Sequence, residues 1–288
     1  MRKTVIILVS TDHLADRLWF RDDEDFKTGM NLIAVIAHTT RVRVLAFILM
    51  SNHVHFVIAG SLEDIESFIT EFKRRYSNHY QHKYGIKEFL RKNRVDFKPI
   101  SPEGEELERA IAYVLMNSVA ANICPSASFY PWGSASVYFN PAPRSGKRVG
   151  DYSGNGLKRL IHSKQPLPPD YIILDAGYVD PASFVAKGYV EQQFRTPARM
   201  NYFLNNSSKA RARLEEDALP SFRDQNILSS ARDLCMSLFR KGNILELTDT
   251  QLGELLRQLR YRFSADIGQL ARVLERPYAE VTRLLDTI

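Results

Sequence analysis

Residues 41–59 decide how this chain folds: Arg41-Val-Arg-Val-Leu-Ala-Phe-Ile-Leu-Met50-Ser51-Asn52-His53-Val54-His55-Phe56-Val57-Ile58-Ala59. The runs 41–50 and 53–59 have the composition and length of strands, and Ser51-Asn52 between them reads as the turn of a hairpin. Side chains alternate along a strand, so His53 and His55 project on one side with Val54 opposite. Two adjacent imidazoles on a rigid strand are a natural pair of metal ligands, and a third ligand has to come from another element. A lone His-x-His also arises by chance, so the pair needs support from its surroundings.

Working outward, residues 3–9 are β-rich and read as a buried strand. The acidic cluster Asp22–Asp25 suits a helix start, and that helix is expected to run to about His38. Ser61 caps a helix from Leu62 to about Tyr84, with Ile65, Phe68, Ile69 and Phe72 on one stripe. Asp96–Ile100 returns as a short strand, and Pro102 with Glu103, Glu105, Glu106 and Glu108 opens a helix through about Asn122. The order β-α-β-β-α-β-α implies an α+β fold: a ferredoxin-like split unit with an antiparallel sheet and one extra helix.

The remaining chain divides by composition. Residues 1–138 form the first domain on this reading. Residues 139–170, rich in Pro, Gly and basic side chains, read as a linker or a DNA-facing loop region. Residues 171–288 read as a mainly helical C-terminal region. There Thr248 and Gln251 make a capping box, Ser264 begins a second helix, and Pro277 opens a third. Residues 248–288 suit a helix-turn-helix or a plain interaction bundle.

At 288 residues, 44% hydrophobic, the chain can build a real core, which excludes a mostly disordered protein. No apolar run approaches the ~20 residues of a membrane span, and the two cysteines give neither a disulfide framework nor zinc spacing. A cytoplasmic chain without a membrane partner is expected. The net charge is +6, and it is concentrated. Segment 73–98 carries nine basic residues, among them Lys73, Arg74, Arg75, Lys83, Arg91 and Lys92, against two acidic ones. Tyr76, Tyr80, Tyr84 and Phe89 are interleaved, a composition suited to phosphate contact and base stacking, or to an amphipathic helix with its tyrosines packed inward. A second basic patch holds Arg144, Lys147 and Arg148. Two such blocks point towards a polyanionic partner.

Three co-linear motifs add a resemblance. Met50-Ser51-Asn52-His53-Val54-His55 resembles the His-hydrophobe-His signature of the HUH endonucleases, and most resembles the REP-associated branch of the single-tyrosine transposases, where the form is Met-Pro-Asn-His-Val-His. Tyr113-Val-Leu-Met-Asn117-Ser-Val-Ala-Ala121 resembles that branch's Tyr-Ile-x-x-Asn-Pro-Val-x-Ala helix, and Tyr130-Pro-Trp-Gly-Ser134 its Tyr-x-Trp-Ser-Ser. Ser51 and Ser118 stand where the family has Pro, and Gly133 where it has Ser. None of these departures removes a reactive group.

The resemblance implies an HUH core with Tyr113 as nucleophile and a cation, Mg²⁺ or Mn²⁺, held by His53, His55 and the Asn117 amide oxygen. Tyr113 and Asn117 are i and i+4, hence neighbours on one helix face. It implies a DNA transposase that cleaves and rejoins single-stranded DNA near hairpins through a 5′-phosphotyrosine, as a monomer or homodimer. Lys73, Arg74, Arg75, Lys83, Arg91, Lys92, Arg144, Lys147 and Arg148 are the candidates for DNA contact. The alternative is a non-catalytic hairpin-binding or regulatory protein using the same sheet and the C-terminal helices.

Overall fold

The computed structural model describes residues 3–142, 144–208 and 222–286. Strand β1 (Val5–Thr11) is followed by α1 (Asp23–Thr40), the hairpin β2 (Arg43–Met50) and β3 (His53–Gly60), α2 (Leu62–Tyr84), and β4 (Val95–Ile100). The sheet order is β2-β3-β1-β4, with every neighbouring pair antiparallel. This is the split arrangement expected from the order of elements: each helix carries the chain over an intervening strand, which leaves β3 and β1 in the middle.

The two long helices start where the capping chemistry places them. Asp22 Oδ1 accepts from the Asp25 amide, and Ser61 Oγ accepts from the Asp64 amide. Their apolar stripes cover one face of the sheet. Phe56 on β3 meets Phe68 and Phe72 of α2 edge-on, at ring-centroid distances of 5.2 and 5.6 Å. Helix α1 comes so close that a Cβ on Gly29 would lie 2.9 Å from a Leu49 methyl and 2.8 Å from Phe20. Asp25, fully buried, ties α1 to α2. It accepts from His79 Nε2 (2.9 Å), Lys83 Nζ (2.9 Å), the Tyr84 hydroxyl (2.8 Å) and the Arg21 amide (2.9 Å). Burial would raise its carboxyl, but these donors outweigh that and hold it below the usual range.

The opposite face receives α3 (Glu106–Leu115), which packs on β2 and β3. One helix through Asn122 was expected. It is interrupted at Met116, and α4 (Asn117–Ala120) follows. The cause is local: Asn117 Nδ2 donates to the Tyr113 and Val114 carbonyls (2.9 and 3.1 Å), where a continuous helix would place backbone amides.

Residues 130–138 close the exposed side of β2. Leu49 N donates to Trp132 O (2.8 Å), Phe47 N to Ser134 Oγ (3.0 Å), and the Tyr130 hydroxyl to Leu49 O (2.8 Å). A Cβ on Gly133 would sit 3.2 Å from Phe47 O, so the smallest residue fits this backbone approach. The first core does not stop at 138. Tyr178, Val185 and residues of α6 (Lys187–Phe194) and α7 (Pro197–Asn205) join it, and α7 packs on α3.

Nor is 139–170 an open linker. It contains β5 (Gly146–Arg148), paired with β6 (Ile172–Leu174), and α5 (Gly154–Ile161). Val149, Ile161 and Leu167 pack with Ile173 and Val179 on Ala34 and Val35 of α1. Pro and Gly gave the segment its loop-like composition, but its few apolar side chains suffice to anchor it.

The C-terminal region is a second core built from α8 (Asp224–Phe239), α9 (Asp249–Phe263), α10 (Ile267–Leu274) and α11 (Tyr278–Asp286). The Thr248–Gln251 capping box forms. Ser264, expected to begin α10, instead ends α9 in the left-handed conformation, and Asp266 caps α10. Helices α6, α7 and α8 lie within the stretch read as mainly helical, and 209–221 lie outside the described residues. No helix among the described residues is long and apolar enough to cross a membrane.

Candidate metal and tyrosine site

Strand β3 is an inner strand, with His55 opposite Ser10 of β1 and Ile48 of β2. His53 and His55 share the face that α3 covers, whereas Val54 and Phe56 point into the α1/α2 core. Both imidazoles are buried, with ring centroids 4.8 Å apart and planes at 80°. Each is oriented through Nδ1: His53 on Asn52 Oδ1 and His55 on Ser10 Oγ, both at 2.8 Å. An imidazole held by one nitrogen presents the other in a set direction, as metal-binding histidines require.

A third imidazole completes the cluster, and sequence reasoning missed it. His13 stacks on His53 with centroids 3.7 Å apart, and ligand nitrogens of His13, His53 and His55 all lie within 4.8 Å of one another. The loop after β1 brings it there: Leu14 N donates to Asn52 O and Asn52 Nδ2 to Leu14 O, both at 3.0 Å. The available signal was strand length. Strand β1 runs to Thr11 rather than residue 9, which carries the chain to the level of His53.

Three imidazoles suit borderline ions such as Fe²⁺, Ni²⁺ or Zn²⁺; of the two cations that the resemblance implies, Mn²⁺ accepts nitrogen ligands more readily than Mg²⁺. Asn117 is buried at the α3–α4 break with Nδ2 committed to its own helix, so Oδ1 is the atom that would serve a cation.

Tyr113, on α3, is half-buried. Its ring stands edge-on to His55, centroids 5.6 Å apart at 76°, so the expected convergence of tyrosine and imidazole pair is present. Burial raises its phenol above the ordinary value. A cleft of about 550 Å³ reaches Tyr113 between β1, β4 and α3, and Ser10, Asp96, Lys98, Glu106 and Arg109 line it.

The basic candidates separate on inspection. Base stacking by the segment's aromatics is excluded for Tyr76, Tyr80 and Phe89. The two tyrosines are fully buried, donating to the Trp19 and Leu18 carbonyls, and Phe89 stacks on Tyr80 at 3.7 Å. Their spacing along α2 turns them inward. Lys73 donates to Asn93 O, Lys83 bridges Asp22 and Asp25, and Arg144 holds Ser136 O (2.7 Å) and Asp180 (3.2 Å). Arg74 and Arg75 both bond Glu71 (2.8 and 3.0 Å), and Arg75 also bonds Gln165 (2.9 Å). The Arg74 bond above all, with Arg75, pulls the Glu71 carboxyl down to about 2 against its burial. Arg91 pairs with Glu88 at the surface (2.6 Å), and Lys92, Lys147 and Arg148 are exposed.

Comparison with known proteins bears on this geometry. Residues 17–97 match the family described as IS200-like transposase, a span that holds both strand histidines and ends before Tyr113. No curated protein matches the chain. Among solved structures, a REP-associated tyrosine transposase bound to a REP hairpin is similar at 14% identity and a TM-score of 0.38, covering 46% of this chain and 77% of that one. Over residues 17–97, then, the chain is similar to the IS200-like transposases, in keeping with the single-tyrosine transposases that its motifs resemble.

Proposed function

We propose that the chain is a metal-dependent single-stranded DNA transesterase that acts near hairpins, with Tyr113 as nucleophile and His53, His55 and His13 as the cation site. One observation carries it: the Tyr113 ring lies against His55 in a cluster of three imidazoles. A divalent cation held there, with Asn117 Oδ1 as a further donor, would polarise the non-bridging oxygens of the scissile phosphate.

The chain's own residues supply the remainder. The Tyr113 oxygen bonds to phosphorus, the bond from phosphorus to the 3′-oxygen breaks, and the phenolic proton ends on that oxygen. The products are a 5′-phosphotyrosyl protein and a free 3′-hydroxyl. Attack by another 3′-hydroxyl reverses the step and rejoins DNA without ATP, because the phosphodiester energy is kept in the covalent link. Burial makes the Tyr113 phenol a poorer acid, so the step depends on neighbours that stabilise its anion. The cleft at Tyr113, where Lys98 and Arg109 stand beside Asp96 and Glu106, is the proposed path for the strand, and exposed Lys92, Lys147 and Arg148 are the first candidates for outer phosphate contact. The hairpin as substrate rests on the motif resemblance.

The test is a labelled single-stranded hairpin with Mn²⁺ or Mg²⁺, read as a covalent adduct on a denaturing gel. An adduct lost in Tyr113→Phe supports the transesterase. Tight binding with no adduct on cognate hairpins supports the non-catalytic hairpin binder instead.

A further inference from the structure

The turn that precedes His53 is gripped by the C-terminal bundle. Ser51 Oγ donates to Oδ2 of Asp224, a buried carboxylate in the first turn of α8. Within the bundle, Asp224 also accepts from Gln269 Nε2 (2.8 Å) and from Arg272 Nε and Nη2 (2.8 and 3.2 Å) on α10. Four donors on one buried carboxylate give it a set position, and a buried charge held in this way resists displacement. A second grip runs beside it. Ser51 O accepts from Trp19 N (2.7 Å) and Phe20 N (3.2 Å), Gln225 Nε2 of α8 donates to Phe20 O (2.6 Å), and Leu18 is part of the bundle's core.

The next residue along is Asn52, whose amide holds both His53 Nδ1 and the loop that carries His13. A continuous path thus runs from the bundle through Asp224, Ser51 and Asn52 to two of the three imidazoles. The proline that the resembling motif has at position 51 would offer no hydroxyl to Asp224.

We infer that Asp224 is a positioning residue for the imidazole cluster: the C-terminal bundle sets the cation site by fixing the Ser51–Asn52 turn. The inference rests on the proposed function for its catalytic consequence, but the coupling can be read without catalysis. Ser51→Ala is the mild probe, since it deletes one hydroxyl and leaves Asp224 with Arg272 and Gln269.

In the full chain, Ser51→Ala is expected to weaken Mn²⁺ binding, followed by calorimetry without DNA, by about 10-fold, the low end for groups that orient metal-bound histidines. Thermal melting should stay near that of the parent, and Ser51→Thr should restore the affinity. In the metal-free chain, ring ¹⁵N signals of His53 should move from the Nδ1–H tautomer that Asn52 holds towards a mixture. Asp224→Asn should do the same with a lower melting temperature, because Arg272 then loses its charge partner. A Ser51→Ala chain with parental Mn²⁺ affinity and parental His53 signals overturns the inference. If the parent binds neither Mn²⁺ nor Mg²⁺, the proposed function falls, and the ring signals alone then decide the coupling: moved they support it, unmoved they overturn it.

Discussion

The two faces of β3 show how one strand serves two purposes. On one side Val54, Phe56 and Ile58 are fully buried beneath α1 and α2, among rings that meet edge-on. On the other His53 and His55 are buried as well, in line with Val57 and Ala59, and their rings meet polar or aromatic partners that include Asn52, Ser10, His13 and Tyr113. The sealed side supplies the apolar burial that holds the sheet, and this rigidity is what allows polar groups to be fixed opposite it. Period-two alternation keeps the purposes apart, since a one-residue slip would exchange them.

Substitutions on the two sides should therefore differ in kind. The largest effect belongs to the histidine side. His55→Ala is expected to abolish both Mn²⁺ binding by calorimetry and the covalent adduct, as Tyr113→Phe abolishes the adduct alone, with melting temperatures close to the parent's. His13→Ala, at the exposed end of the cluster, should weaken the ion rather than remove it. Loss of stability without loss of metal in His55→Ala would break the contrast.

Next is Phe56→Ala on the sealed side, expected to cost ~3–5 kcal/mol in urea unfolding through the cavity it leaves. At temperatures where this variant is folded it should retain Mn²⁺.

Asp25→Asn tests the clamp that holds α1 to α2 over that same side. It leaves Lys83 and His79 without their buried carboxylate and should cost about 3 kcal/mol at neutral pH. The native carboxyl lies below its ordinary value, so its contribution is complete above the unfolded value and fades as pH falls through the native one. The stability gap between parent and variant should thus close only below about pH 4.

The smallest effect separates internal cations from outward ones. Lys147→Ala with Arg148→Ala should lower the slope of log affinity against log salt for hairpin DNA by up to about 2. Lys83→Ala, which removes an internal strut, should leave that slope unchanged while lowering stability.

Much of this architecture was legible from local signals. Strand alternation placed both histidines on one side, the acidic cluster Asp22–Asp25 and the caps at Ser61 and Thr248 placed three helix starts, and the spacing of Tyr113 and Asn117 made them neighbours on one helix face. The basic segment was legible as charge but not as surface. Charge along a helix does not say which carboxylates face it, and Glu71, Asp22 and Asp25 neutralise cations that composition alone presents as unpartnered. The reach of the first core past 138 was not legible for a similar reason, because the apolar residues of α6 and α7 belong to a core whose other half lies more than a hundred residues away.

The sequence by itself determined the strands and helices from β1 to α3, their order and the two strand imidazoles, because each is written in periodicity and spacing over a few neighbouring residues; the motif resemblance singled out Tyr113. Tertiary structure alone decided that His13 joins them, that the Tyr76–Tyr80 stripe is core, and that the bundle reaches the histidine turn through Asp224 and Ser51. Those outcomes depend on contacts between segments up to 173 positions apart, and no local pattern encodes which distant partner a loop, a carboxylate or an aromatic ring will meet.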